Sequence, residues 1–243
     1  MSSDRSDLPP FLRPFVLAHE PLVPETAGEV DLYLPGRTPA PAVLMVHGGP
    51  LRPDLPARPR DWTAYRAYGA LLAQAGLVGA MFEHGFVDDD TLRVARDNIR
   101  EAADHVLADP RVDPDRFGIW CFSAGGLFMG SVLADPPGWN LAAAAGTYAA
   151  VADPDLEGSD WPQATLTAEL SDVPLLLVRP EHDFDWIVSA TDALLERCDR
   201  AGRDVDVIDV PGAHHGFETV DDTDAARDGV RRSIAWWSRA LAG

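Results

Sequence analysis

The chain has 243 residues, with 20 basic side chains against 39 acidic ones for a formal net charge of −19, and every basic residue is arginine. Without lysine there is no phosphate-cradling GxxxxGK[ST] loop, no pyridoxal Schiff base and no serine–lysine hydrolase. The excess of acid opposes sequence-independent binding to nucleic acid or anionic lipid, which cationic side chains drive.

Residues 1–14 are polar and rich in proline and read as a loosely held arm; residues 15–243 read as one domain. Phe15–His19 and Glu29–Leu34 are short strand candidates, separated by Pro- and Gly-containing turns that suggest an antiparallel pair. Ala42–His47 is a continuous apolar run, as expected of a strand buried on both faces of a parallel sheet. Trp62–Ala75 has helical spacing, with Gly76 where a helix-ending glycine belongs. Leu77–Phe82 is the next strand and Thr91–Ala108 the next helix. Arg116–Phe122 is a strand that launches a helix over Ala124–Ala134, and Leu141–Tyr148 is an alanine-rich strand. Residues 152–172 form one long irregular insertion. Val173–Val178 and Asp204–Val210 are strands, each followed by a helix, Ser189–Ala201 and Asp224–Leu241.

Strands alternating with helices of this length imply βαβ units, hence an α/β fold with a parallel sheet covered on both faces. In such a sheet the ligand crevice lies at the carboxyl ends of the strands. The segments there are HGGP, EHGF, CFSAGG, RPEHDFD and PGAHHGF, rich in nucleophile, acid and imidazole. Ser123 stands at a strand-to-helix turn, followed by the small residues Ala124, Gly125 and Gly126 that a nucleophile elbow requires. Cys121 stands two residues before it, where such elbows carry glycine. A serine nucleophile needs a base and an acid that orients the base, in the chain order Ser, Asp, His. Asp183 and His215 fill those places, with Asp185 and His214 as adjacent alternatives. Backbone amides for an oxyanion are expected from Ala124 and from Gly49 or Leu51, because Pro50 has no N–H.

His47 and His84, with Trp62, Tyr65, Phe86, Trp161, Trp186 and Phe217, are candidate pocket walls. Glu83, His84, Glu181, His182, Asp185 and His214 lie on different loops without metal-ligand spacing, so no metal site and no cofactor is expected. Arg179 is the nearest cation for a substrate carboxylate. Trp236 and Trp237, adjacent on the last helix, could extend a dimer surface. Cys121 and Cys198 cannot form a disulfide framework, and no apolar run reaches membrane-spanning length. A cytoplasmic protein acting on a small-molecule substrate is expected, with a homodimer as an open possibility.

Taken in order, HGGP, DPDRFGIWCFSAGG, RPEHD and AHHGF resemble the α/β-hydrolase superfamily, over roughly residues 30–240. The likeness is to its dienelactone-hydrolase-like and small esterase branch. It implies an eight-stranded, mostly parallel sheet without a large cap domain, and a serine esterase that cleaves a small ester, lactone or thioester. Acyl transfer or cyclisation on the same groups and non-catalytic ligand binding are the alternatives. Two departures stand out: Cys121 in place of the first elbow glycine, and EHGF after Leu77–Phe82.

Overall fold

The computed structural model describes residues 8–134, 138–167 and 172–242. Residues 1–7 of the expected arm and 168–171 of the insertion lie outside them. Eight strands form one sheet: β1 (Glu25–Ala27), β2 (Val30–Tyr33), β3 (Ala40–Val46), β4 (Val78–Met81), β5 (Val112–Phe122), β6 (Leu141–Thr147), β7 (Leu175–His182) and β8 (Asp206–His214). Their order across the sheet is β1-β2-β4-β3-β5-β6-β7-β8. The β1–β2 and β2–β4 pairs are antiparallel and all the others parallel.

The parallel strands are apolar at successive positions because both of their faces are covered. Along β3, Ala42, Leu44 and Val46 enter one core and Val43 and Met45 the other. The first core is closed by α2 (Leu92–Leu107), α3 (Met129–Ala134) and α5 (Asp185–Arg200). The second lies under α1 (Thr63–Gln74), the short α6 (Phe217–Val220) and α7 (Asp224–Ala240). A further short helix, α4 (Ala164–Thr167), lies in the irregular segment after β6. Trp237 of α7 rests so closely on β5 that a Cβ at Gly118 would lie 2.3 Å from its ring. Trp236 and Trp237 are 4% and 0% exposed, so both belong to the core and form no surface patch. Trp237 faces β5, and Trp236 donates its indole N–H to Asp206 at the start of β8, 2.7 Å away.

Phe15–His19 is not a strand. The antiparallel partner of β2 is β1, and Gly28 at φ 61° closes the turn between them. Prolines at 14, 21 and 24 surround the 15–19 segment and remove donors that a ladder would need. The Val16 N–H instead reaches the carbonyl of Glu218, 2.7 Å away. Just upstream, Phe11 stacks on Trp62 with ring centroids 4.7 Å apart. The expected helix over Ala124–Ala134 opens as a 3-10 turn, Ser123–Phe128, before α3 takes over. The last two strands run further than their apolar cores, to His182 and His214, and this places Asp183 and His215 directly at strand ends.

Candidate active site

Ser123 follows β5 directly at φ 50°, a left-handed conformation that a non-glycine residue seldom adopts. The turn is held because the Ser123 carbonyl accepts from the Ala150 N–H at 2.8 Å. Neighbouring backbones crowd it. A Cβ on Gly125 would lie 2.5 Å from the Val46 carbonyl, and one on Gly48 would lie 2.9 Å from the Ser123 Cβ. Cys121, in the glycine's place, is a strand residue opposite Val46 and Gly146. Its side chain is in the core, where burial pushes the thiol pKa up.

The Ser123 Oγ lies 2.8 Å from His215 Nε2, and the imidazole Nδ1 lies 2.7 Å from Asp183 Oδ1. Asp183 only accepts when ionised, so Nδ1 carries the proton and Nε2 is free to receive one from the serine. The same Asp183 oxygen also accepts from the Phe184 N–H at 2.8 Å. Its side chain is 3% exposed and that of His215 is 23% exposed. The neighbours are directed elsewhere. His214 pairs with Asp221 at 3.0 Å, and Asp185 opens α5, its carbonyl accepting from Ser189.

On the opposite side of Ser123, the HGGP loop is held from several directions. The Gly48 N–H donates to the Tyr65 hydroxyl at 3.0 Å, and the Leu51 N–H donates to the Phe86 carbonyl at 2.8 Å. The Leu51 N–H is therefore taken, which leaves Gly49 of the two donors the sequence offered; the chain turns after Pro50 and runs alongside residue 86. The N–H groups of Gly49 and Ala124 have no acceptor among the described residues, and both residues border the cleft beside Ser123.

Beneath this loop His47 and His84 are fully buried, with their rings stacked 3.6 Å apart. His47 Nε2 accepts from the His84 N–H, so its Nδ1–H donates to the Gly48 carbonyl. His84 Nδ1 accepts from the Phe86 N–H at 3.1 Å, so its Nε2–H donates to the His47 carbonyl at 2.9 Å. Both rings are thereby held neutral. Burial, reinforced by the neighbouring His84, takes His47 well below its ordinary pKa, and burial brings His84 down to about 4.

A cleft of about 300 Å³ opens at Ser123. Phe86, Leu127 and Ile187 give it apolar walls, Phe184 and Trp186 form a partly exposed rim, and Asp88, Asp89 and Asp153 also line it. Of the eight side chains expected as pocket wall, Phe86 and Trp186 are there, while Tyr65 is buried with its hydroxyl on the Gly48 N–H. The two histidines lie under the loop. Trp62 packs on Phe11 and Tyr65, Trp161 is 4% exposed and donates to the Leu127 carbonyl, and Phe217 is in the core. Amphipathic aromatic residues near a site are drawn into the core whenever a helix covers them, and residue type alone does not separate the two positions. Arg179 borders a different cavity, of about 370 Å³, and is paired there with Asp192 and Asp209.

Sequence reasoning passed over three residues near Ser123, His215 and Asp183. Tyr148 follows β6 at φ 38°, and its ring lies 4.6 Å from that of His215. Its hydroxyl donates to Glu218, a buried carboxyl that desolvation pushes up to about 7. Phe184 also packs near His215, 4.9 Å from the same imidazole. Tyr148 and Phe184 both occupy positions just past strand ends, which was the signal available; Glu218 offered none.

Residues 76–243 match the prolyl oligopeptidase family. No curated protein matches the chain. Among solved structures, a bacterial heroin esterase superposes with a TM-score of 0.73 at 17% identity, covering 91% of this chain and 83% of that one. Carboxyl esterase 2 from Tuber melanosporum gives 0.71 at 18% identity, with 88% and 82% covered. The acylaminoacyl peptidase of Pyrococcus horikoshii gives 0.67 at 16% identity, with 95% of this chain but 42% of that one covered. The chain spans 33% to 42% of the length of the peptidases it matches. The likeness to solved structures bears out the eight-stranded α/β-hydrolase architecture, and none of these matches singles out the dienelactone-hydrolase branch. Through a match over more than half of its length, the chain belongs to the prolyl oligopeptidase family, a hydrolase family within the α/β-hydrolase superfamily.

Proposed function

We propose that the protein is a serine hydrolase that cleaves small, neutral carboxylic esters through an acyl-enzyme. The single observation that carries this reading is the unbroken chain of contacts from Ser123 through His215 to Asp183. In the first half-reaction Ser123 Oγ attacks the carbonyl carbon and its proton passes to His215 Nε2. The oxyanion rests on the amides of Ala124 and Gly49. The leaving alcohol takes the proton from His215, and a water activated by the same imidazole then releases the acid. Asp183 keeps the Nδ1 proton in place and steadies the imidazolium.

The cleft supports the substrate class. Its walls are apolar and its volume suits a short acyl group. Among the described residues that line it none is basic, while three are aspartates, so an anionic acyl group would meet repulsion without a partner. The family match favours a second reading, hydrolysis of an amide or peptide bond on the same groups. Fluorophosphonate labelling tests the common mechanism, and turnover of p-nitrophenyl esters against the matching p-nitroanilides separates the two readings. Labelling should be lost in Ser123→Ala, with hydrolysis falling by about 10⁴-fold or more. Full activity in that variant would sink the reading.

A further inference from the structure

Behind His215, on the same short segment of chain, Glu218 is buried at 1% exposure in a cluster of phenols. Tyr148, at the end of β6, donates its hydroxyl to Glu218 Oε1, while Oε2 has no hydrogen-bond partner among the described residues. Tyr65 and Tyr68 face the carboxyl from α1, and Asp221 and His215 face it from its own segment. Of these groups only His215 can become positively charged. A buried carboxylate without a cation is costly, and a buried half-satisfied carboxyl calls for an explanation.

We propose that Glu218 is a positioning residue for His215: it anchors Tyr148, against whose ring the imidazole rests, and adds a second buried acid to the one supplied by Asp183. The coupling is reciprocal. Each time the imidazole takes the serine proton, the new positive charge favours ionised Glu218, and ionised Glu218 favours the imidazolium by the same amount. The Tyr148 hydroxyl stabilises the carboxylate form, which opposes the desolvation that pushes Glu218 upward. Asp183 acts on the ring edge by a direct hydrogen bond, and Glu218 acts at one remove, through the tyrosine that packs on the ring at 4.6 Å. The backbone supports this placement, since the Glu218 carbonyl is held by the Val16 N–H at 2.7 Å.

This role rests on the proposed Ser123–His215–Asp183 mechanism, and the test keeps the two apart. The rate of inactivation by a fluorophosphonate is measured from pH 5 to 9 for the wild type, Glu218→Gln and Tyr148→Phe, with folding checked by circular dichroism. Glu218→Gln keeps the shape and removes the charge. It is expected to react about tenfold more slowly at pH 8, and the midpoint of its rate rise should move to lower pH, because the imidazolium has lost an anionic neighbour. Tyr148→Phe keeps the ring and frees the carboxyl, with an intermediate loss of about threefold expected. A folded Glu218→Gln that reacts at the wild-type rate with the wild-type midpoint overturns the proposal. Should that variant not fold, a Tyr148→Phe profile identical to the wild type overturns it equally. A wild type that is not labelled at all overturns the mechanism on which the role depends.

Discussion

At the scale of single residues, the site separates like neighbours by their contacts. His215 and His214 are adjacent in sequence, yet one reaches Ser123 and Asp183 while the other pairs with Asp221 on the surface. On the proposed mechanism, replacing His215 by alanine should lower ester hydrolysis by about 10³-fold or more, because both half-reactions would lose their proton carrier. His214→Ala should stay within about threefold of the wild type, since its half-exposed ring touches neither Ser123 nor Asp183 and the backbone bond to Asp221 remains. Equal losses in the two variants would show that the assignment is wrong. Trp186, 40% exposed at the rim of the cleft, should set the length of the acyl group. In a p-nitrophenyl ester series, Trp186→Ala should move the preferred chain toward longer acids; an unchanged profile would place the acyl group elsewhere.

Elements fix what these residues can do. The elbow brings β5, the 3-10 turn and the HGGP loop so close that Gly125 faces two backbone carbonyls, at 2.5 Å and 2.7 Å from where a Cβ would stand. Backbone carbonyls cannot swing aside as a side chain can. Gly125→Ala should therefore displace Ser123 and lower activity by more than about tenfold, with a loss of stability of about 2 kcal/mol or more. Wild-type melting and turnover would contradict this packing. The loop on the other side is built from imidazoles rather than from glycine alone: His84 donates to the His47 carbonyl and accepts from Phe86. The EHGF departure after β4 is thus a structural support of the HGGP loop rather than a lapse in the family pattern.

Across the whole molecule, buried titratable groups tie folding to pH in opposite directions. Folded His47 and His84 are neutral, whereas unfolded histidines bind protons below about 6.5. Their contribution is complete above that value and is lost as the pH falls toward 4. Glu218 runs the other way: the folded state keeps its proton up to about 7, while the unfolded chain releases it near 4.5. Its contribution is complete at the low end and is lost as the pH rises to 7. For Glu218 and for His84 the difference amounts to about 3 kcal/mol. Two histidines outweigh one glutamate, so the wild type should melt at lower temperature as the pH falls from 6.5 to 4.5. Glu218→Gln lacks the opposing contribution and should fall more steeply over the same range. Parallel curves in thermal denaturation would refute this.

What the sequence by itself determined is the alternation of apolar runs with amphipathic stretches, and the order of Ser123, Asp183 and His215 at the ends of strands. Both are local: a period and a position after a strand are written in neighbouring residues. Legible in the same way were Gly49 and Ala124 as candidate oxyanion amides and Phe86 and Trp186 as cleft wall. Only the tertiary structure decided that the Leu51 N–H is taken by Phe86, that His47 and His84 stack below the loop, that both adjacent tryptophans enter the core and that residues 15–19 form no strand. Glu218 belongs to the same set. Each depends on which distant backbone or ring comes to lie opposite, and that is settled by packing between segments as far apart as residues 148 and 218, where no local pattern carries the information.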